Sequence, residues 1–324
     1  MFSLHHLPYG ARRALRSIWL LVPLVALGGA PAAEAQPAAA KSPAPAKADK
    51  PRPGEKWVRL LKDSRGKPVA MQTAIVRYVK AEAAEPGKDA DDYDQYVDLV
   101  GAVHIGDRSY YRKLNRKFRA YDAVLYELVA PEGTKVPRGR GTSNAHPLGA
   151  LQNGMKSMLE VEHQLEQVDY TRDNMIHADL SPEEFLESMT AREESFVQMY
   201  FRMMGASVAQ QSQAAADGEN AEVDLMAALF APDRARQLKI ALAKQFEGME
   251  SLMNSLSGPN GSTLITERNK RALDVLEKQL DAGVEKVAIF YGAGHLAEMD
   301  QQLTERFDMQ PVSVEWVEAW DLRP

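Results

Sequence analysis

The 324-residue chain contains no cysteine. That absence excludes disulfides, cysteine nucleophiles, iron–sulfur clusters and thiolate zinc sites, and a lipid anchor carried on cysteine. Any metal must be held by histidine, carboxylate and water. No basic tract is present either: 39 Lys and Arg stand against 45 Asp and Glu, for a net charge of −6. An acidic chain of this kind is repelled by nucleic acid and gains nothing from an anionic membrane surface. No apolar run reaches the ~20 residues of a spanning helix. Three catalytic signatures are missing as well: the Gly-x-Ser-x-Gly elbow, the His-Glu-x-x-His helix and the Gly-Lys-Ser/Thr phosphate loop.

What is present begins with an export signal. Arg12, Arg13 and Arg16 precede an apolar run over residues 18–27, interrupted only by Pro23, and Ala33-Glu34-Ala35 supplies small residues at a peptidase spacing. Residues 1–35 therefore read as a cleavable signal peptide, and the mature chain as periplasmic or extracellular with no stable membrane span. A retained anchor is the alternative, and the run is short for it. The segment holds three of the basic residues and one of the acidic ones, so the mature chain has 36 basic and 44 acidic residues, net −8. Residues 36–55 are Ala, Pro and Lys, a composition that buries no core and predicts a disordered tether.

From residue 56 on, the pattern predicts one α/β domain. Strands are expected at 69–79, 95–103 and 123–129. A helix over 107–121 carries Tyr111, Leu114, Phe118 and Tyr121 at spacings of 3, 4 and 3. Strand, helix, strand with short joins is a parallel βαβ unit. Residues 149–257 show helical signals without a convincing strand and hold 10 of the 14 Met. Within them 190–204 and 223–253 are the longest helical stretches. They read as a helical layer with Met in its core, or as an adaptable Met-lined substrate groove. After the Gly258-Pro259-Asn260-Gly261 turn, Ser262 or Thr263 caps a helix to about residue 281. A strand at 286–291, a helix at 296–307 and a strand at 311–317 follow. The expected fold is α/β: a mixed, largely parallel central sheet flanked by helices, with a long Met-rich helical insertion at about 149–257.

Two segments share one grammar. In Gly101-Ala102-Val103-His104 and in Gly292-Ala293-Gly294-His295, a strand gives way to a helix and Gly-x-x-His stands at the join. In an open parallel sheet that edge is where ligands bind. Gly101, Gly292 and Gly294 permit a sharp turn and close backbone approach. Glu127 interrupts an apolar strand one helix after His104, where a lone carboxylate is costly unless paired or bound to a cation. His104, His295 and Glu127 on three strand ends make a site for Mn, Co or Zn, with water in an open position. Glu127 could instead pair with Arg268 or a lysine. Arg268 and Asn269 fall within the buried stripe of their helix, where polar groups need partners. Arg268 could orient Glu127, bind a substrate carboxylate or oxyanion, or form a structural ion pair. A weaker cluster holds Asp169, Tyr170, His177 and Asp179. His177 is there a possible ligand or substrate contact, and Asp179 a possible loop residue before the Ser181-Pro182 helix start. His146 and His163 read as surface residues. One rival survives: Gly292-x-Gly294-x-x-Ala297 with Glu315 is a passable dinucleotide fingerprint, although too little chain follows it to complete a nucleotide-binding half.

At these residues the chain resembles the TraB/PrgY/GumN family, which belongs with the Tiki metalloproteases and, more remotely, with ChaN-like and erythromycin-esterase-like proteins. The matching pieces are Val100 to His104 with its helix, Tyr126-Glu127-Leu128, Glu267-Arg268-Asn269 and Gly292 to His295. The resemblance implies a mixed α/β fold and a divalent-metal hydrolase, a peptidase. His104 and His295 match its paired histidines, Glu127 its acidic partner, and Arg268 the arginine beside Asn269. The expected activity is metal-dependent hydrolysis of a peptide or small molecule, in which a carboxylate accepts a proton from water and Arg268 stabilises the oxyanion. The competing expectation is an envelope protein that captures a peptide or haem without turnover.

Overall fold

The β-branched and apolar run PVAMQTAIVRYVK forms the longest interior strand, and the antiparallel half of the sheet is built on it. The computed structural model describes residues 56–134, 136–137, 158–195, 221–257 and 261–324. The signal, the tether, His146 and the helical expectation for 196–204 fall outside them. In chain order the strands and helices begin with β1 (Val58–Lys62), β2 (Pro68–Lys80), β3 (Tyr96–Ala102), β4 (Ile105–Gly106), α1 (Arg108–Lys117) and β5 (Ala123–Tyr126). Then come β6 (Glu162–His163), α2 (Gln164–Gln167), β7 (Met175–His177), α3 (Pro182–Ala191), α4 (Ala221–Leu229) and α5 (Arg234–Ser257). The chain closes with α6 (Arg268–Asp281), β8 (Lys286–Gly292), α7 (Leu296–Phe307) and β9 (Met309–Asp321).

β9 pairs with β2 along Ala70–Lys80, while β1 and β3 share its other side. All three pairings are antiparallel. Beyond β3 the order is β8, β5, β7, and these pairings are parallel. The fold is thus α/β with a mixed sheet whose central strands are parallel. Successive side chains alternate across it. Ile289 and Tyr291 face a core closed by Leu273, Leu276, Leu296, Met299 and Leu303 of α6 and α7. Phe290, between them, meets Phe118 beside α1 on the opposite face at 4.9 Å.

Registers set the carboxyl edge. Ala102 lies opposite Gly292, and Tyr126 opposite both Phe290 and His177. Four parallel strands therefore end side by side, and the next residue or two of each chain segment meet there.

Several expectations need correction. β7 lies inside the segment read as strandless and completes the sheet, because Met-Ile-His is too short to show a period. The expected strand at 123–129 ends at Tyr126, so Glu127 stands just past the strand and not within it. The helical stretch 223–253 is two helices, broken around Pro232, whose ring fixes φ and disfavours helix in the residue before it. β1 had no counterpart in the sequence pattern. His163 is buried, its backbone paired with Ile105, and is not a surface residue. Of the ten Met in 149–257, the side chains of Met155, Met199, Met203, Met204, Met249 and Met253 lie outside the described residues; of the other four, Met189 is buried, Met175 half-buried, and Met158 and Met226 exposed.

Candidate functional site at the carboxyl edge

Glu127 is the first residue beyond β5, and its N–H donates to the Phe290 carbonyl of neighbouring β8 at 3.2 Å. That bond fixes the side chain at the sheet edge. Gly292 N–H donates to Oε2 of Glu127 at 2.7 Å. A Cβ on Gly292 would stand 3.2 Å from that oxygen, so glycine is what allows the carboxylate to sit against the backbone. The same turn carried the dinucleotide fingerprint. Its N–H is taken by the chain's own carboxylate, and β9, bearing Glu315, runs antiparallel on β2 instead of extending the parallel sheet.

Arg268 approaches from α6. Before it, Thr263–Glu267 winds as a π-helical turn, capped where Ser262 Oγ accepts the Ile265 N–H at 3.2 Å. Such turns recur at functional sites because they shift a side chain out of helical register. Arg268 Nη2 donates to Oε1 of Glu127 at 2.6 Å and to Oδ2 of Asp179 at 2.7 Å. Arg268 Nε donates to Oδ1 of Asp179 at 3.0 Å. The Arg268–Asp179 contact is a bidentate fork. Asp179 follows β7 by two residues and also accepts the Leu180 N–H at 2.8 Å. Glu127, Asp179 and Arg268 are all buried. Of the readings left open for Arg268 and Glu127, the contacts show a buried ion pair between the two, shared with Asp179, which also fixes the position of the Glu127 carboxylate.

His295 closes the short turn Ala293–His295, with Gly294 at its centre. It is buried, edge-on to Tyr291 at 5.3 Å. Its Nδ1 lies 2.7 Å from Asn269 Oδ1, and Asn269 Nδ2 donates to the His295 carbonyl at 3.1 Å. Its Nε2 lies 3.6 Å from Oε1 of Glu127 and 3.5 Å from Nη1 of Arg268. His104 stands two residues beyond β3, partly exposed, and its carbonyl accepts the Gln164 N–H at 2.9 Å. It lies within electrostatic reach of both Glu127 and His295.

Electrostatics set the protonation states. Burial alone raises the Glu127 carboxyl. The Arg268 guanidinium outweighs it, joined by the two imidazoles and the Gly292 N–H, and the group falls to about 2. Burial pushes His295 down to about 3, and Arg268 adds to the effect against the pull of Glu127. Near neutral pH the ring is uncharged, so its contact with Glu127 is not an ion pair. Two carboxylates then share one guanidinium, and the buried trio carries an excess negative charge.

Other expected residues divide. Tyr170 is buried behind the site, its ring 5.0 Å from Tyr126, and its hydroxyl accepts from Gln164 Nε2 at 2.9 Å. His177 Nε2 is bonded to the Leu128 carbonyl, which holds the ring against Tyr126 and away from the Glu127 trio. Asp169 shapes a turn, accepting from the Thr171 hydroxyl at 2.7 Å, and is not drawn into the cluster. Gly101 lies inside β3 and makes no turn. A Cβ there would stand 3.1 Å from the Ala74 carbonyl and 3.4 Å from Leu296, so the position serves close packing.

Sequence reasoning missed two residues. Gln164 is buried beneath His104 and Tyr170, in a segment with no periodic signal to mark it. Asp107, next to the His104 turn, accepts from Lys239 Nζ of α5 at 2.7 Å and from the Asp321 N–H of β9 at 2.6 Å. A buried lysine on a helical face was the only available clue.

Among the described residues, no group of three or more His, Asp or Glu side chains is gathered to hold a metal ion. In one respect the donors suit one: a neutral imidazole and an ionised carboxylate face each other, with the Arg268 charge beside them balanced by Asp179. Among the described residues no helix is long and apolar enough to cross a membrane. Comparison with protein-family models, with curated proteins and with solved structures gives no match.

Proposed function

We propose that this chain is an exported, metal-dependent hydrolase of peptides, of the TraB/PrgY/GumN and Tiki type that its motifs resemble. One observation carries the proposal. At the carboxyl edge of a parallel sheet, a neutral His295 faces an ionised Glu127 at 3.6 Å, and the one Arg268 charge beside them is shared with Asp179, so the cluster keeps one net negative charge. Such a place attracts a cation. Mn, Co or Zn would be held by Glu127 and His295, with His104 as the third candidate. The chemistry such a cation supplies when bound is Lewis acidity toward water and toward a carbonyl oxygen.

The chain's own residues divide the remaining work. Glu127, held near 2, is too weak a base to collect a proton at neutral pH and acts as ligand and fixed charge. Arg268 holds that carboxylate in place from one side and Gly292 from the other. Asp179 fixes Arg268. With most of its donors committed to carboxylates, Arg268 is a positioning residue and not an oxyanion donor. The competing activity is capture of a peptide or haem without turnover, in which the same edge binds and does not cleave.

Purified mature protein decides between them. The metal content is measured, and hydrolysis of a mixed peptide library is followed with chelator and with added Mn, Co or Zn. The expected result is cation-dependent cleavage that His295→Ala and Glu127→Gln abolish while both variants stay folded. Folded wild-type protein that binds no cation and cleaves nothing would sink the proposal.

A further inference from the structure

The side-chain amide of Asn269 grips His295 at two points. It is fully buried, so neither contact is shared with solvent. Asn269 Nδ2 lies 3.1 Å from the His295 carbonyl oxygen, and Asn269 Oδ1 lies 2.7 Å from the His295 ring nitrogen Nδ1. A carbonyl oxygen only accepts, so the amide atom facing it must be the NH2 group. The other amide atom must then be the oxygen, which also only accepts. The ring nitrogen opposite it must therefore carry the hydrogen. Arg268 Nη1, which can only donate, stands 3.5 Å from the other ring nitrogen, Nε2, so Nε2 is placed as the acceptor and the single N–H is at Nδ1. The orientation of one amide thus decides where the proton of His295 resides.

We propose that Asn269 is a positioning residue that locks His295 in the Nδ1–H tautomer, leaving the Nε2 lone pair directed at the carboxyl edge beside Glu127. Deepening the hydrolase proposal and resting on it for its functional meaning, this fixes what His295 can do. Nε2 can donate its lone pair to a cation, and it cannot deliver a proton. Nε2 stands 3.6 Å from Glu127 Oε1, and Arg268 serves both atoms, donating Nη2 to Oε1 at 2.6 Å and holding Nη1 3.5 Å from Nε2. Histidines that hold metals are generally oriented in this way, through a hydrogen bond from the second ring nitrogen.

The test reads the tautomer directly. Full-length mature protein is labelled with 15N-histidine, stripped with chelator and studied by NMR at neutral pH. The His295 ring is assigned by the signals lost in His295→Gln. Wild-type protein is expected to show protonated Nδ1 and bare Nε2. Asn269→Asp keeps an acceptor opposite Nδ1 and is expected to keep that tautomer. Asn269→Ala removes it and is expected to lose the preference, with Nε2–H becoming the major form as in a free histidine side chain. A wild-type ring protonated at Nε2 overturns the inference, as does an Asn269→Ala ring that retains Nδ1–H. The wild-type spectrum decides even if Asn269→Ala fails to fold. Because no cation and no turnover enter the measurement, an Nδ1–H ring in a protein that hydrolyses nothing would remove the hydrolase proposal and leave this one standing.

Discussion

Arg268 Nη2 donates to Glu127 Oε1 at 2.6 Å across 141 positions of sequence. The pair joins the first turn of α6 to the end of β5, and Asp179 joins it from the end of β7. Charge removed from water is costly unless each partner keeps its geometry. Truncating Arg268 strands two buried carboxylates. Arg268→Ala is expected to lower stability by about 3–5 kcal/mol, measured by urea denaturation. Arg268→Lys is expected to recover only part of it, since an ammonium cannot reproduce the fork to Asp179. A loss below about 1 kcal/mol would show that the trio is solvated.

Acid should act through His295 first and Glu127 second. Both groups have folded values below their ordinary ones, so the unfolded chain binds more protons and stability falls with pH. For His295 the loss begins below 6.5 and continues toward about 3. For Glu127 it begins below 4.5 and continues toward about 2. Chelator-treated protein is expected to lose stability through His295 below pH 6.5, the slope growing toward about 1.4 kcal/mol per pH unit by pH 4.5, beyond the general background. His295→Gln should flatten that segment. Denaturation midpoints at half-unit steps of pH measure it, and equal slopes in the two proteins would contradict the assignment.

Gly292→Ala places a methyl group 3.2 Å from Glu127 Oε2, in the path of its hydrogen bond to the backbone. The carboxylate must shift while the fold around it survives. The expected outcome is a stability loss of about 1–3 kcal/mol together with loss of cation binding. Calorimetric titration with Mn(II) and a thermal melt read the two separately. Unchanged binding would place the cation elsewhere.

Lys239 ties α5 to Asp107, which also holds the Asp321 N–H of β9. Lys239→Met keeps the apolar stem and removes the charge. It is expected to raise amide hydrogen exchange at residues 105–108 by about tenfold, the equivalent of ~1.4 kcal/mol of local stability, with little change at the core of β8. Exchange unchanged at the rim would show that the His104 turn is held by β9 and β6 alone.

Strand runs with strong β-branched content, such as those of β2 and β8, were legible in the sequence, as were the helix stripes of α1 and α7. The Gly-x-x-His joins were legible because a strand period breaks there into a helical one. β7 and the contacts of Gln164 were not, since a three-residue strand and a two-residue ladder carry no measurable period. Asp179 was visible as a loop residue before a capping box, and its role depends on Arg268, which lies 89 positions away.

By itself the sequence determined the layers of the fold, the chemical kinds of donor available and the places where strands give way to helices, because these follow from local periodicity and composition. The tertiary structure alone decided which of those strand ends became neighbours: β8, late in the chain, inserts between β3 and β5 and brings His295 to Glu127. It also decided that Arg268 binds carboxylates and that Asn269 faces the ring of His295. Hydrogen bonds of this kind depend on distances of a few ångströms between segments far apart in the chain, and no local pattern encodes them.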